Sequence, residues 1–441
     1  MNVRVLLIIL AVGLQTWLWT ADGSGASRVR FVSQYPEGYN FFLESSGESP
    51  FPIGREDTRY IAQYLAFLGA PQLGLVADWP AERNLYSLAL SGLWPFGVVA
   101  AGACVNALFW LAAIWGASQL AEDRDQPRAG VVGTFAVVIS LFHLPFLWSV
   151  GETNPHLAGF ATGAIIVGAA FRARLFEHGS PYAQHLALAL LAGLLTLFYH
   201  AALLFLPFLL LTFLSSRLQT WNARAVVASL RIGNLWRGAL LLGAVVAPLL
   251  AFRRVLTMLG LLPEGTSTEG ALFALLGRRL AGIEWVDVVQ LMVLDQLAAL
   301  HSFGVLVAVP LIVGAVCIVR HGSRGQRITL CSGLIITVGL VPNYLAGDVG
   351  YAIANGSIAG ILAAAVGMSF LTTRARNRTQ QIVIGCYALS LCAYSAFALR
   401  GWNYPLVASF GGHPLPGMSA VKLPSKEKYL HADVSYVEER F

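Results

Sequence analysis

The feature that most constrains this chain is a series of apolar runs, each about the length of a bilayer-spanning helix, separated by short polar turns. They read as Val5 to Thr20, Trp94 to Ala117, Val131 to Val150, His156 to Ala173, a doubled run from Leu186 to Leu214, a run ending near Phe252, Phe303 to Val319, Ile328 to Leu345, Ala352 to Leu371 and Ile382 to Leu399. Backbone polar groups in lipid must be satisfied within the segment, so runs of this length imply helices. With 56% apolar and 12% charged residues and a mean hydropathy of +0.66, the chain lies outside the range of soluble globular domains. The expectation is an all-α, polytopic membrane protein of about 11 transmembrane helices.

The Leu186 to Leu214 run is too long for one span and short for two, with Tyr199 and His200 in its middle, so it reads as a tight hairpin of two short helices. Val5 to Thr20 has the outline of a signal peptide, but Trp17 and Trp19 at its outer end favour an uncleaved first span. Two longer polar stretches interrupt the series. Residues 21–93 form an acidic outer loop with an interfacial helix from Arg59 to Val76, and residues 253–301 form a second loop in which Glu284, Asp287 and Asp295 share one face of an amphipathic helix. Around them, 94–252 holds transmembrane helices 2–7, 302–400 holds 8–11, and 401–441 is an outer tail.

Basic residues decide the orientation. Arg320, Arg324, Arg327, Arg374, Arg376 and Arg378 crowd into short turns on one side, which the positive-inside rule makes cytoplasmic. The N-terminus is then cytoplasmic, and both long loops, the GETNP turn and the C-terminal tail are outside. The net charge of +6 is scattered over these turns and forms no basic stripe, so no nucleic-acid partner is expected. The five cysteines lie in apolar runs without CxxC spacing and read as small buried apolar residues. No Walker loop, GxSxG, HExxH or dinucleotide fingerprint is present.

The first outer loop, Phe31 to Tyr60, sets Glu37, Glu44, Glu48, Glu56 and Asp57 among Tyr35, Tyr39, Phe41, Phe42 and Tyr60, with Arg55 and Arg59 at its end. Carboxylates beside aromatic rings suit a site that holds a sugar and deprotonates a hydroxyl; a solvated loop resting in the interfacial aromatic belt is the plainer alternative. Outside the cytoplasm an activated donor must arrive on a lipid, such as a polyprenyl-phosphate sugar. Transfer from it needs a carboxylate base and cations to stabilise the departing phosphate. Base candidates are Asp57, Glu37, Glu56, Glu44 and Glu48. Phosphate candidates are Arg253, Arg254, His200, Arg55, Arg59, Arg278, Arg279 and His301.

In architecture the chain resembles the GT-C superfamily of integral-membrane glycosyltransferases. YPEGYNFFL at Tyr35 to Leu43 is similar to that family's Tyr-Asp-Gly-x-x-Tyr opening, with Glu37 in place of Asp and Tyr39 nearby. Arg59-Tyr60 resembles the start of the following helix. GETNP is similar to its acid-x-x-Pro turn and GDVGYAI to a later outer turn, which implies positions near the substrate for Glu152 and Asp348. The resemblance implies direct inverting transfer from a polyprenyl-phosphate sugar, and the Ala-, Leu-, Gly- and Arg-rich composition suggests a bacterial inner membrane. A divalent metal is compatible with this reaction, but no ligand spacing marks a metal site.

Two other classes remain open. A transporter of lipid-linked sugars or solutes calls for internal repeats and mid-membrane charge, which are not evident. A non-enzymatic subunit of a larger membrane complex, held to partner subunits by its aromatic outer loops, fits the scarcity of charge in the spans. Membrane lipids are partners under every reading.

Overall fold

The computed structural model describes residues 84–93, 95, 98–120, 129–143, 156–218, 232–259, 305–339, 349–372 and 377–401. Within these residues every regular element is helical. The helices are α1 (Asn84–Gly92), α2 (Val98–Gln119), α3 (Ala129–Leu141), α4 (His156–Arg172), α5 (Tyr182–Thr196), a 3-10 helix (His200–Phe205) and α6 (Leu206–Arg217). They continue with α7 (Ile232–Met258), α8 (Val305–His321), α9 (Arg324–Gly339), α10 (Val349–Leu371) and α11 (Asn377–Gly401). The expected first span, the acidic loop up to residue 83, both expected amphipathic outer helices and the tail after residue 401 fall outside the described residues.

Two stretches, Ala101–Gln119 of α2 and Gly233–Met258 of α7, are long and apolar enough to cross a membrane. Others are apolar but shorter: α3 has 13 residues and α6 has 12, about 20 and 18 Å of axial rise. The doubled apolar run folds as two short helices. α5 ends at Thr196, the chain passes through extended Tyr199 (φ −161°, ψ 131°), and α6 returns after the 3-10 helix. The return is closed at the far end, where the Gly179 amide donates to the Ser216 carbonyl at 2.9 Å.

Glycine sets the spacing between helices. A Cβ on Gly116 of α2 would collide with the Ala164 carbonyl of α4, and one on Gly168 would strike Gly116 in return. Gly314 and Gly367 play the same reciprocal part for α8 and α10, whose backbones touch at Ala363 and Pro310. Gly193 of α5 lies against the Val245 carbonyl and Pro248 of α7. Small residues at helix crossings let backbones meet and gain dispersion contacts. Around these crossings pack Phe135, Phe205, Phe208 and Phe213, all essentially buried.

The bundle is apolar on its outside as well. Leu306, Val309, Ile312, Val316 and Val319 form an exposed stripe along α8, and Leu235, Trp236, Leu240, Leu250, Val255 and Met258 do so on α7. The cysteines follow this pattern rather than the expected one: all are free and none is buried, with Cys104, Cys331 and Cys386 exposed. Apolar runs that cover a bundle's surface put small apolar residues on both faces, so hydropathy alone does not distinguish inside from outside.

Helix alternation and cross-contacts gather the described arginines. The Arg324 guanidinium of α9 donates through Nη1 to the carbonyls of Ser215 (3.1 Å) and Leu218 (2.9 Å), capping α6. The Ser215 hydroxyl donates to the Phe176 carbonyl in the α4–α5 turn, and the Tyr182 hydroxyl to the Arg237 carbonyl in α7. Arg172, Arg174, Arg217, Arg237, Arg320, Arg324 and Arg327 therefore share one end of the bundle. α5 and α7 run parallel from that end, so Tyr199, His200, Arg253 and Arg254 belong to the opposite one.

These crossings predict that Gly367→Leu forces α8 and α10 apart. It should cost about 1–3 kcal/mol or more in a denaturing-detergent titration. Gly385→Ala, where a Cβ has open space, should be neutral or stabilise by up to about 1 kcal/mol.

Candidate functional site

At the end opposite the arginines, α1, α2, α4 and the break after α5 enclose a set of polar side chains. α1 is a nine-residue helix in a stretch that the apolar pattern assigns to the outer loop. Its start is tied to the end of α5, where the Leu85 amide donates to the Leu197 carbonyl at 3.3 Å. Tyr86 and Ser87 point inward and are fully buried. Asn106 on α2 is also fully buried, and His143, just past α3, is 2% exposed. Beside α3, the Ser395 hydroxyl of α11 donates to the Phe142 carbonyl at 2.8 Å.

Tyr199 is the centre of this end. The break that separates α5 from the 3-10 helix turns its ring against Gly159 of α4, where a Cβ would overlap Cδ1. One turn along α4, Gly163 makes the same room for Phe205 and Ile358. The Gly159–Gly163 pair thus admits aromatic rings rather than a second backbone. Phe198, next to Tyr199, meets Phe109 of α2 edge-on at 5.0 Å. Residues 197–205 leave the α-helical path between α5 and α6, and these two rings anchor that break against α4 and α2.

Of the residues that the sequence nominates, His200 opens the 3-10 helix directly after Tyr199. Arg253 and Arg254 are helical residues near the end of α7, which continues past the expected boundary at Phe252. Arg253 is half-buried and Arg254 exposed, and the Thr257 hydroxyl donates to the Arg253 carbonyl at 3.0 Å. Asp57, Glu37, Glu56, Arg55, Arg59, Tyr39, Glu152 and Asp348 lie outside the described residues, as do Glu44, Glu48, Arg278, Arg279 and His301. Asn106 and His143 were legible as polar residues within apolar runs, a costly placement that marks structure or function. Nothing in the sequence pointed to Tyr86 and Ser87.

The arginine-bearing end holds a different arrangement. Glu177, the sole carboxylate side chain among the described residues, pairs with Arg174 at 3.3 Å on the surface, a contact of small energetic value. Buried Ser180 bonds His185 Nε2 at 2.7 Å and the Leu175 carbonyl at 3.2 Å. This serine–histidine pair joins the turn to the first turn of α5, before the apolar run begins at Leu186. Fixed against backbone and packed edge-on to Phe213, it is a structural lock rather than a nucleophile and base.

Burial, and then the charge of Arg217, pushes His185 down to about 4. No family model, curated protein or solved structure matches the chain.

Two outcomes follow from these contacts. Replacing Tyr199 by Ala empties the groove on α4 and should cost about 3–5 kcal/mol in a denaturation titration, with Tyr199→Phe retaining most of the packing. An unfolded His185 titrates near 6.5 but the folded one near 4, so between these values the unfolded chain binds the extra proton. Stability should fall as pH drops from about 6.5 to about 4 and be insensitive to this residue above that window. Melts of wild type and His185→Gln across this range test it, the variant having the shallower dependence.

Proposed function

We propose that this is a polytopic bacterial inner-membrane protein of about eleven spans, with the arginine-bearing end in the cytoplasm. Its functional face is the opposite end, where a sugar is transferred from a polyprenyl-phosphate donor to an acceptor. The observation that carries the reading is the segregation of polar groups. Among the described residues Arg172, Arg174, Arg217, Arg237, Arg320, Arg324, Arg327 and Arg378 share one end of the bundle, against Arg253 and Arg254 at the other, where Tyr86, Asn106, His143 and Tyr199 are buried. The exposed apolar stripes on α7 and α8 suit contact with lipid. Such a distribution satisfies the positive-inside rule and leaves the far end for an extracytoplasmic substrate.

In this reading the acidic loop supplies the base, with Asp57, Glu37 and Glu56 the candidates, and Arg253, Arg254, His200, Arg55 and Arg59 face the donor phosphate. Tyr39, Glu152 and Asp348 position the sugar. The base takes the acceptor's hydroxyl proton, the freed oxygen bonds the anomeric carbon, and the carbon–phosphate oxygen bond breaks to release polyprenyl phosphate. A non-catalytic membrane subunit is the second reading. It is favoured by the placement of the sole described carboxylate, Glu177, at the arginine end and in an ion pair with Arg174.

Orientation and chemistry are tested separately. A cysteine in place of exposed His178 should react with an impermeant maleimide only in inverted vesicles, and one in place of exposed Met258 only in right-side-out vesicles. In proteoliposomes supplied with polyprenyl-phosphate sugars, Asp57→Asn or Glu37→Gln should lower transfer by roughly 100-fold or more if that residue is the base. Transfer undiminished in all of Asp57→Asn, Glu37→Gln and Glu56→Gln would remove the assigned bases. No transfer by the wild-type chain with any such donor would favour the subunit reading.

A further inference from the structure

The arginine-bearing end contains two guanidinium groups without a carboxylate partner among the described residues. Arg217 closes α6 and lies over the Phe213 ring at 5.3 Å; Arg237 of α7 lies over the Tyr182 ring at 5.7 Å. The rings meet edge-on at 5.8 Å, so a continuous row runs Arg237, Tyr182, Phe213, Arg217 across the seam of α5, α6 and α7. The Tyr182 hydroxyl is bonded to the Arg237 carbonyl at 2.9 Å, which ties α7 to the row. Ring faces attract cations but leave their charge uncompensated. Among the described residues Arg217 Nε is buried and has no hydrogen-bond partner, and neither guanidinium is in an ion pair. Burial, then the charge of Arg237, moves Arg217 down from its ordinary value.

Among the described residues the one carboxylate of this end, Glu177, is paired with Arg174, which leaves the two guanidiniums to an added anion. α5 and α7 both direct their N-terminal ends to this rim, adding partial positive charge. The connecting stretch 219–231 contains Arg224 and Arg231 and no acid in its sequence. On the outer side of Arg237 the surface turns apolar at once: Leu235 is 54% exposed, Trp236 66% and Leu240 44%. An indole beside an arginine, at the foot of an apolar helix face, is the composition of a membrane interface.

We infer that Arg217 and Arg237 form a site for a phosphate anion, supplied by the headgroup of an anionic phospholipid whose acyl chains lie along the Leu235, Trp236 and Leu240 face of α7. The two guanidiniums provide charge-assisted hydrogen bonds to the phosphate oxygens, and Trp236 packs beside the glycerol region. The site is at the opposite end from the proposed transfer chemistry and does not depend on it.

The test uses the full chain in nanodiscs of phosphatidylcholine with increasing phosphatidylglycerol, followed by thermal unfolding. In parallel, the detergent-solubilised chain is titrated with inorganic phosphate. Phosphatidylglycerol should raise the unfolding temperature with saturation, and its half-saturating fraction should rise roughly tenfold in Arg217→Gln/Arg237→Gln. Arg237→Gln alone, at an exposed position that leaves the packing intact, should move in the same direction. Arg174→Asn removes a charge from the same rim and keeps a residue suited to the left-handed backbone there (φ 54°), so it should match wild type. Equal loss in Arg174→Asn, or undiminished response in the double and single variants, would overturn the site. An equal rise with inorganic phosphate would overturn the lipid as its source.

Discussion

Backbone contact at glycine is the constraint on which this bundle depends. At the crossings of α2 with α4 and of α8 with α10, carbonyl oxygens occupy the space where a side chain would begin, so the helices approach as closely as their backbones allow. Once these two pairs and the α5–α7 contact at Gly193 are fixed, the remaining gaps are of a size that phenyl rings fill. Phe135, Phe205, Phe208 and Phe213 do so. The outside of the same helices carries leucine, valine and tryptophan without a change in composition. The cohesion of the molecule thus comes from shape rather than from a contrast in polarity between core and surface.

That origin explains how much could be read from the chain itself. Helical class and the approximate helix positions follow from apolar run length, and the interruption at Tyr199-His200 marked the hairpin because polar residues in mid-run demand a reason. Helix α1 went unread because nine residues with mixed polarity carry little periodic signal. The end of α7 was misplaced because arginine was taken to terminate a helix that it continues. Cysteine burial was misjudged for the reason given above: where both faces are apolar, pattern does not assign a face.

For the candidate site, chemistry and geometry are divided. The residues nominated for proton transfer lie in the acidic loop, outside the described residues. Asn106 and His143 were not nominated because single polar residues in apolar runs have many explanations; Tyr86 carries no signal of that kind, and Tyr199 was read only as a polar interruption of its run. Their assembly at one end depends on helix order and direction, which a linear reading does not supply. The arginines of the short turns were easier, because a turn's composition is read directly from the sequence whatever the packing.

The capping of α6 by Arg324 also bears on how the molecule is made. The Ser215 and Leu218 carbonyls receive their partner from a residue 109 and 106 positions further along the chain. During synthesis, α5 and α6 can form their hairpin and close it through Gly179 and Ser216 long before α9 exists. Until then the end of α6 lacks this cap. The N-terminal and C-terminal groups of helices are therefore not independent bundles joined late; the second group supplies a component that the first lacks, so that a chain interrupted after α7 would be left with an incomplete α6 terminus.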